Sequence, residues 1–143
     1  MSAGVTQVWT AIKQKGNFVW EVALSWTDGA TPGTVPATAL KDASFASVAG
    51  SYLFAFKTIP SASAAPSVYS FTLVDSDGLD ILNGAGASRP ATGVQVTIPQ
   101  QDSSNALFGP VFCDAGVTLN VTGNSNANGA GVIKLFFSVN DIP

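Results

Sequence analysis

Apolar residues recur at every second position along most of this 143-residue chain, and helical spacing is almost nowhere to be found. From Phe18 to Trp26 one set of alternate positions carries Phe18, Trp20, Val22, Leu24 and Trp26, while Val19, Glu21, Ala23 and Ser25 fill the other. A strand sends successive side chains to opposite faces, so this spacing describes ribbons with one face in a core. It returns in Tyr52, Phe54 and Phe56, in Tyr69, Phe71 and Leu73, in Val94, Val96 and Ile98, and in Val117, Leu119 and Val121. Near the end, Ile133, Leu135, Phe137 and Val139 alternate with Val132, Lys134, Phe136 and Ser138. A further strand is expected from Val5 to Ile12, and a weaker one from Leu107 to Phe112. Between the runs lie Asp28-Gly29, Thr31-Pro32-Gly33, Ser61 to Pro66, Asp77-Gly78, Asn83-Gly84, Asp114-Ala115-Gly116 and Asn124 to Gly131. These residues favour turns: Gly accepts positive φ, Pro fixes φ, and Asn and Asp side chains bond nearby backbone. Seven or eight strands so divided predict an all-β fold, an antiparallel β-sandwich of jelly-roll-like form. No linker or shift of composition splits the chain, so one β-sandwich domain over 1–143 is expected.

Charge is scarce. Only 10% of the residues are charged, against roughly 25% in an ordinary soluble domain. With 46% hydrophobic residues, disorder is excluded. The surface must then be built from Ser, Thr, Asn, Gln, Ala and Gly, which suits packing against other subunits. The formal charge is −3 and the six basic residues are scattered, Lys13 and Lys15 being the only close pair. Nucleic acid and anionic membranes need clustered Lys and Arg, so neither is an expected partner. One cysteine, Cys113, allows no internal disulfide, and its place beside Phe112 marks it as a small buried side chain. Met1 to Thr6 carry no basic segment followed by an apolar run, so no secretory signal is read there and the Asn120-Val121-Thr122 sequon carries little weight. The longest uncharged stretches hold Pro, Gly or many Asn, which argues against a membrane helix.

Catalytic chemistry finds few footholds. The chain has no histidine, which removes histidine-activated nucleophiles, histidine zinc sites and a neutral-pH imidazole base together. Cys113 has no basic neighbour in sequence to lower its pKa. Gly84-Ala85-Gly86-Ala87 superficially resembles a phosphate loop, but no helical pattern follows and Pro90 would interrupt one. The dense polar feature is Asp75-Ser76-Asp77-Gly78-Leu79-Asp80. Asp75, Asp77 and Asp80 could gather oxygen ligands for Ca²⁺ or act as a glycosidase carboxylate pair. The plainer expectation is a tight turn in which Asp side chains cap backbone N–H groups and Gly78 takes a positive φ. No cofactor, metal or catalytic residue is therefore assigned, and the chain is not expected to be an enzyme. Trp9, Trp26 and Phe136 are the candidates for a subunit contact, because aromatics are enriched at interface centres.

The run from Tyr69 to Arg89, Tyr-Ser-Phe-Thr-Leu-Val-Asp-Ser-Asp-Gly-Leu-Asp-Ile-Leu-Asn-Gly-Ala-Gly-Ala-Ser-Arg, resembles a family of small tailed-bacteriophage virion proteins. The shared pattern is a strand, an Asp-x-Asp-Gly-x-Asp turn, an apolar pair, a small-residue segment and an arginine. Leu119-Asn120-Val121 and Gly131 to Phe137 extend the likeness, while Asn83 and Pro90 depart from it. The resemblance implies a structural module of the virion, assembled in a host cytoplasm, and supplies no enzymatic residues. The expected role is a capsid decoration or cement protein that stabilises the head by protein–protein contacts. Its expected partners are the major capsid protein and copies of itself, as homodimer or homotrimer. The alternative is a tail or baseplate module that binds a receptor or carbohydrate.

Overall fold

The computed structural model describes residues 2–14, 17–41, 49–102, 107–113 and 116–139. Among them are eleven strands and no helix: β1 (Gly4–Gln14), β2 (Asn17–Thr27), β3 (Thr38–Ala39), β4 (Ser51–Pro60), β5 (Ser70–Val74), β6 (Gln95–Thr97), β7 (Gln100–Asp102), β8 (Leu107–Phe108), β9 (Val111–Cys113), β10 (Thr118–Thr122) and β11 (Ala130–Val139). A six-stranded sheet runs β1-β2-β11-β4-β6, with β9 also paired to β4. A three-stranded sheet runs β3-β10-β5, and β7 and β8 form a separate ribbon. Every pairing is antiparallel. The expected all-β, antiparallel sandwich is the fold.

The alternation explains which faces meet. Val22, Leu24 and Trp26 of β2 lie in register with Leu135, Ile133 and Gly131 of β11, and the side chains of Val22, Leu24, Trp26, Ile133 and Leu135 enter the core. Phe71 and Leu73 of β5 and Leu119 and Val121 of β10 come from the facing sheet. The layers touch through aromatic rings. Phe56 meets Phe71 edge-on at 5.2 Å between centroids, and Trp26 meets Tyr69 at 4.8 Å. Such pairs add roughly 0.5–1.5 kcal/mol each beyond the area they bury.

Three sequence expectations are corrected. Tyr52, Phe54 and Phe56 do not share a face, because β4 carries a bulge: Phe137 pairs with Leu53 and Phe136 with Ala55, leaving Phe54 as the extra residue. Leu53 and Phe56 are buried while Tyr52 faces out. Val94, Val96 and Ile98 alternate but none is in the core, since β6 is a short edge strand that puts Val96 opposite the outward Lys57. Leu107 to Phe112 is two strands interrupted at Gly109 and Pro110, paired with different partners. Asp114 and Ala115 of an expected turn lie outside the described residues.

One end of the sandwich is fastened by a buried carboxylate. Asp28, 1% exposed, ends β2. Its Oδ1 accepts from the Gly29 and Thr34 amides and the Thr34 hydroxyl, and its Oδ2 from the Gly33 amide and Asn124 Nδ2. Burial alone would raise its pKa. The hydrogen bonds from Asn124, Gly33 and Thr34 outweigh that and hold the carboxyl at about 2.

Candidate functional site

The acidic turn is spent on its own backbone. Asp75 Oδ1 accepts from the Asp77 and Leu79 amides, each at 3.0 Å. Asp80 Oδ1 accepts from Leu73 and Leu82, and Oδ2 from Gly84. Gly78 has φ 83°, which a side chain would resist. No cluster of three or more metal-ligating side chains occurs among the described residues. The turn redirects the chain so that residues 80–89 run back along the outer edge of β5. Ile81 N bonds Leu73 O, Phe71 N bonds Gly86 O, and Tyr69 and Arg89 exchange both backbone bonds. Close approach explains Gly86, where an added Cβ would overlap the Phe71 carbonyl oxygen.

Arg89 locks this segment down. Its guanidinium, in a residue only 5% exposed, lies 5.3 Å from the Phe56 ring centroid. Nη1 donates to Ala85 O at 3.2 Å, and Nη2 to Gln95 Oε1 and to Thr97 Oγ1. Burial pulls its pKa down; the cation–π contact and three acceptors on Nη1 and Nη2 offset part of that cost, while the buried Nε has no partner among the described residues.

The three expected contact residues separate. Trp26 is 1% exposed and belongs to the core. It shares the inward parity of Val22 and Leu24, so it is unavailable to a partner. Trp9 is half-buried, packs against the core from the inward face of β1, and donates from Nε1 to Gln7 Oε1. Phe136 alone points away from the core, beside Phe54 with centroids 6.3 Å apart.

Around Phe136 the outward face of the six-stranded sheet forms the candidate site. The register sets its rows. One runs Val8, Ala23, Lys134, Lys57, Val96, and another Ile12, Val19, Ser138, Tyr52, Phe112. Tyr52 and Phe112 pack as a tilted pair at 5.1 Å, yet remain 36% and 50% exposed. Val8 and Val96 flank the face at 55% and 63% exposure. Lys134 and Lys57 stand opposite each other, a repulsive placement, and Glu21 takes up Lys134 at 2.9 Å. At one end a shallow trough of about 290 Å³, lined by Ser25, Thr27, Ile59 and Val132, crosses the backbone of Gly131. No described element packs over this face. It offers apolar rings around a small charged centre, with no described group activated for bond breaking.

Sequence reasoning missed Tyr52, Phe54, Phe112, Val8 and Val96. A signal was present: Tyr52-Leu53-Phe54 and Val111-Phe112-Cys113 are consecutive apolar triplets, which put apolar groups on both faces of a strand.

No family model and no curated protein matches the sequence. Among solved structures, the chain is similar to the CBM22-1 xylan-binding domain of Xyn10C from Paenibacillus barcinonensis, at 16% identity and a TM-score of 0.41. That likeness covers 95% of this chain and 88% of the other. At so low a score the site is read from its own residues.

Proposed function

We propose that this chain is a non-catalytic virion module that docks onto a protein shell through the outward face of its six-stranded sheet, as a decoration or cement protein on a phage head. The observation that carries the reading is that open face. Interface centres are rich in Tyr and Phe and poor in charge, and Tyr52, Phe54, Phe112 and Phe136 around the Glu21–Lys134 pair have that composition. The phage-head setting rests on the resemblance in Tyr69 to Arg89. The test adds purified chain to particles that lack it. Phe112→Asp and Tyr52→Asp, at exposed positions, should fold normally and bind about tenfold or more weakly. Binding unchanged in both variants contradicts the docking face.

A second reading, a tail or baseplate module that binds carbohydrate, is favoured by the exposure of the Tyr52 and Phe112 rings. Their planes are tilted by 54°, so the pair offers no flat platform for a sugar ring, and the protein-docking reading is preferred. Retardation of the chain in polysaccharide gels, lost in Phe112→Ala, would reverse that preference.

A further inference from the structure

Among the described residues the outward face of the six-stranded sheet carries three charged side chains, Glu21, Lys134 and Lys57. Two of them satisfy each other, with Lys134 Nζ 2.9 Å from Glu21 Oε1. Lys57 is left over. It is half-buried, stands between Lys134 and Val96 in its row, and makes no salt bridge or hydrogen bond. The next outward positions along β4 are Ala55 and Ile59, whose side chains hold no acceptor. The face thus presents one uncompensated positive charge on a chain whose formal charge is −3. While the face is open, water solvates that charge. Under a docked protein the ammonium loses its water, and an unpaired buried charge costs more than the apolar contact around it returns. Lys57 cannot be left outside such a contact. Its row is about 7 Å from that of Phe136 along the strands, and a standard contact covers about 800 Å² per partner, a disc about 30 Å across.

We propose that the surface docking onto this face presents a carboxylate side chain to Lys57, set among apolar groups that meet the rings. The inference rests on the docking reading above and gives its partner a chemistry. Charge selects the occupant. A second copy brought face to face offers only Glu21 as an acid, and Lys134 already holds it; both Lys57 ammoniums would stay unanswered. Nucleic acid needs clustered cations, and this face has a single free one among the described residues. An Asp or Glu of another protein answers it with a charge-assisted hydrogen bond. The same cost supplies specificity, because a surface lacking the acid, or carrying a lysine in its place, is rejected. The rings supply area, and Lys57 fixes where the module sits.

The test adds purified variants to particles that lack the chain. Lys57→Glu should bind about thirtyfold or more weakly, whereas Lys57→Arg, which keeps the charge, should retain most of the binding. Binding of Lys57→Met should fall less steeply with added salt than that of the wild type. Folding is checked separately: Lys57→Glu relieves the repulsion from Lys134, so it should melt no lower than the wild type. A carbodiimide, which condenses an amine with a carboxylate in contact while being hydrated to its urea, should join Lys57 to an Asp or Glu of the shell protein. Mass spectrometry of the cross-linked peptides reads that bond. If Lys57→Glu binds as the wild type does, or no cross-link forms at Lys57, while Phe112→Asp still weakens binding, this inference fails and the docking face stands. Undiminished binding of Phe112→Asp and Tyr52→Asp removes the docking reading, and this inference with it.

Discussion

Asp28 is the side chain on which acid stability turns. Its folded pKa, about 2, lies below its ordinary 3.8, so the folded state binds its proton less readily than the unfolded chain does. That difference contributes about 2 kcal/mol, fully present above about pH 4 and lost as pH falls through the folded value. An acid titration of the melting temperature should therefore drop between about pH 4 and pH 2. Asp28→Asn turns an amide toward the Gly33 and Asn124 donors, and it should cost about 2–4 kcal/mol in urea unfolding and flatten that acid limb. A variant as stable as the parent contradicts this account. Gly86→Ala should cost about 2 kcal/mol or more, because the overlap is with the Phe71 backbone, which β5 holds in place. Sequence revealed the local devices, Asp75 and Gly78, whose partners lie within a few positions. It marked Asp28-Gly29 only as a turn: the Gly29, Gly33 and Thr34 donors are local, but the burial and the Asn124 bond from 96 positions away are tertiary.

Strands with a core face were legible in outline, and those at the margins only in part. β1, β2, β5, β10 and β11 follow their alternation because burial on one face forces the period of two. β4 broke the rule through its bulge, which only the pairing with β11 defines. Of the strands of two or three residues, β3 and β7 were not read at all; β6 was read from Val94, Val96 and Ile98 without its edge position, and β8 and β9 were read together as the single run Leu107 to Phe112. The turn read at Asp75 to Asp80 leads into residues 80–89, which prove to be a cover for the edge of β5. Arg89 is its anchor, reaching across to Gln95 and Thr97 on either side of Val96 in β6. Arg89→Ala should destabilise the fold by about 2–4 kcal/mol, through a cavity over Phe56 and acceptors left unpaired. Hydrogen exchange should locate the damage, with β5 amides losing protection before those of β2 and β11. Uniform loss across both sheets would show that the arginine supports the whole core instead of this edge.

The molecule presents one sealed sheet and one open one. Its small sheet has its long edge covered and its inward face in the core, whereas its large sheet shows rings and valines outward. The low charge visible in the composition accords with the exposed rings and valines of the large sheet. The alternation already held the signal that separates two of the aromatics: Trp26, between Ser25 and Thr27, shares the inward parity of Val22 and Leu24, whereas Phe136, between Leu135 and Phe137, shares the outward parity of Lys134. Many copies of such a face, each making a contact of standard size near 1,600 Å², would bridge shell subunits by repetition instead of by one tight site. The most direct test compares the thermal and osmotic stability of phage particles assembled with this chain, without it, and with Phe112→Asp. The docking account predicts that particles without the chain rupture at lower temperature and that the variant fails to restore them. Particles that keep full stability without it but no longer adsorb to their host would contradict the account and favour a tail module.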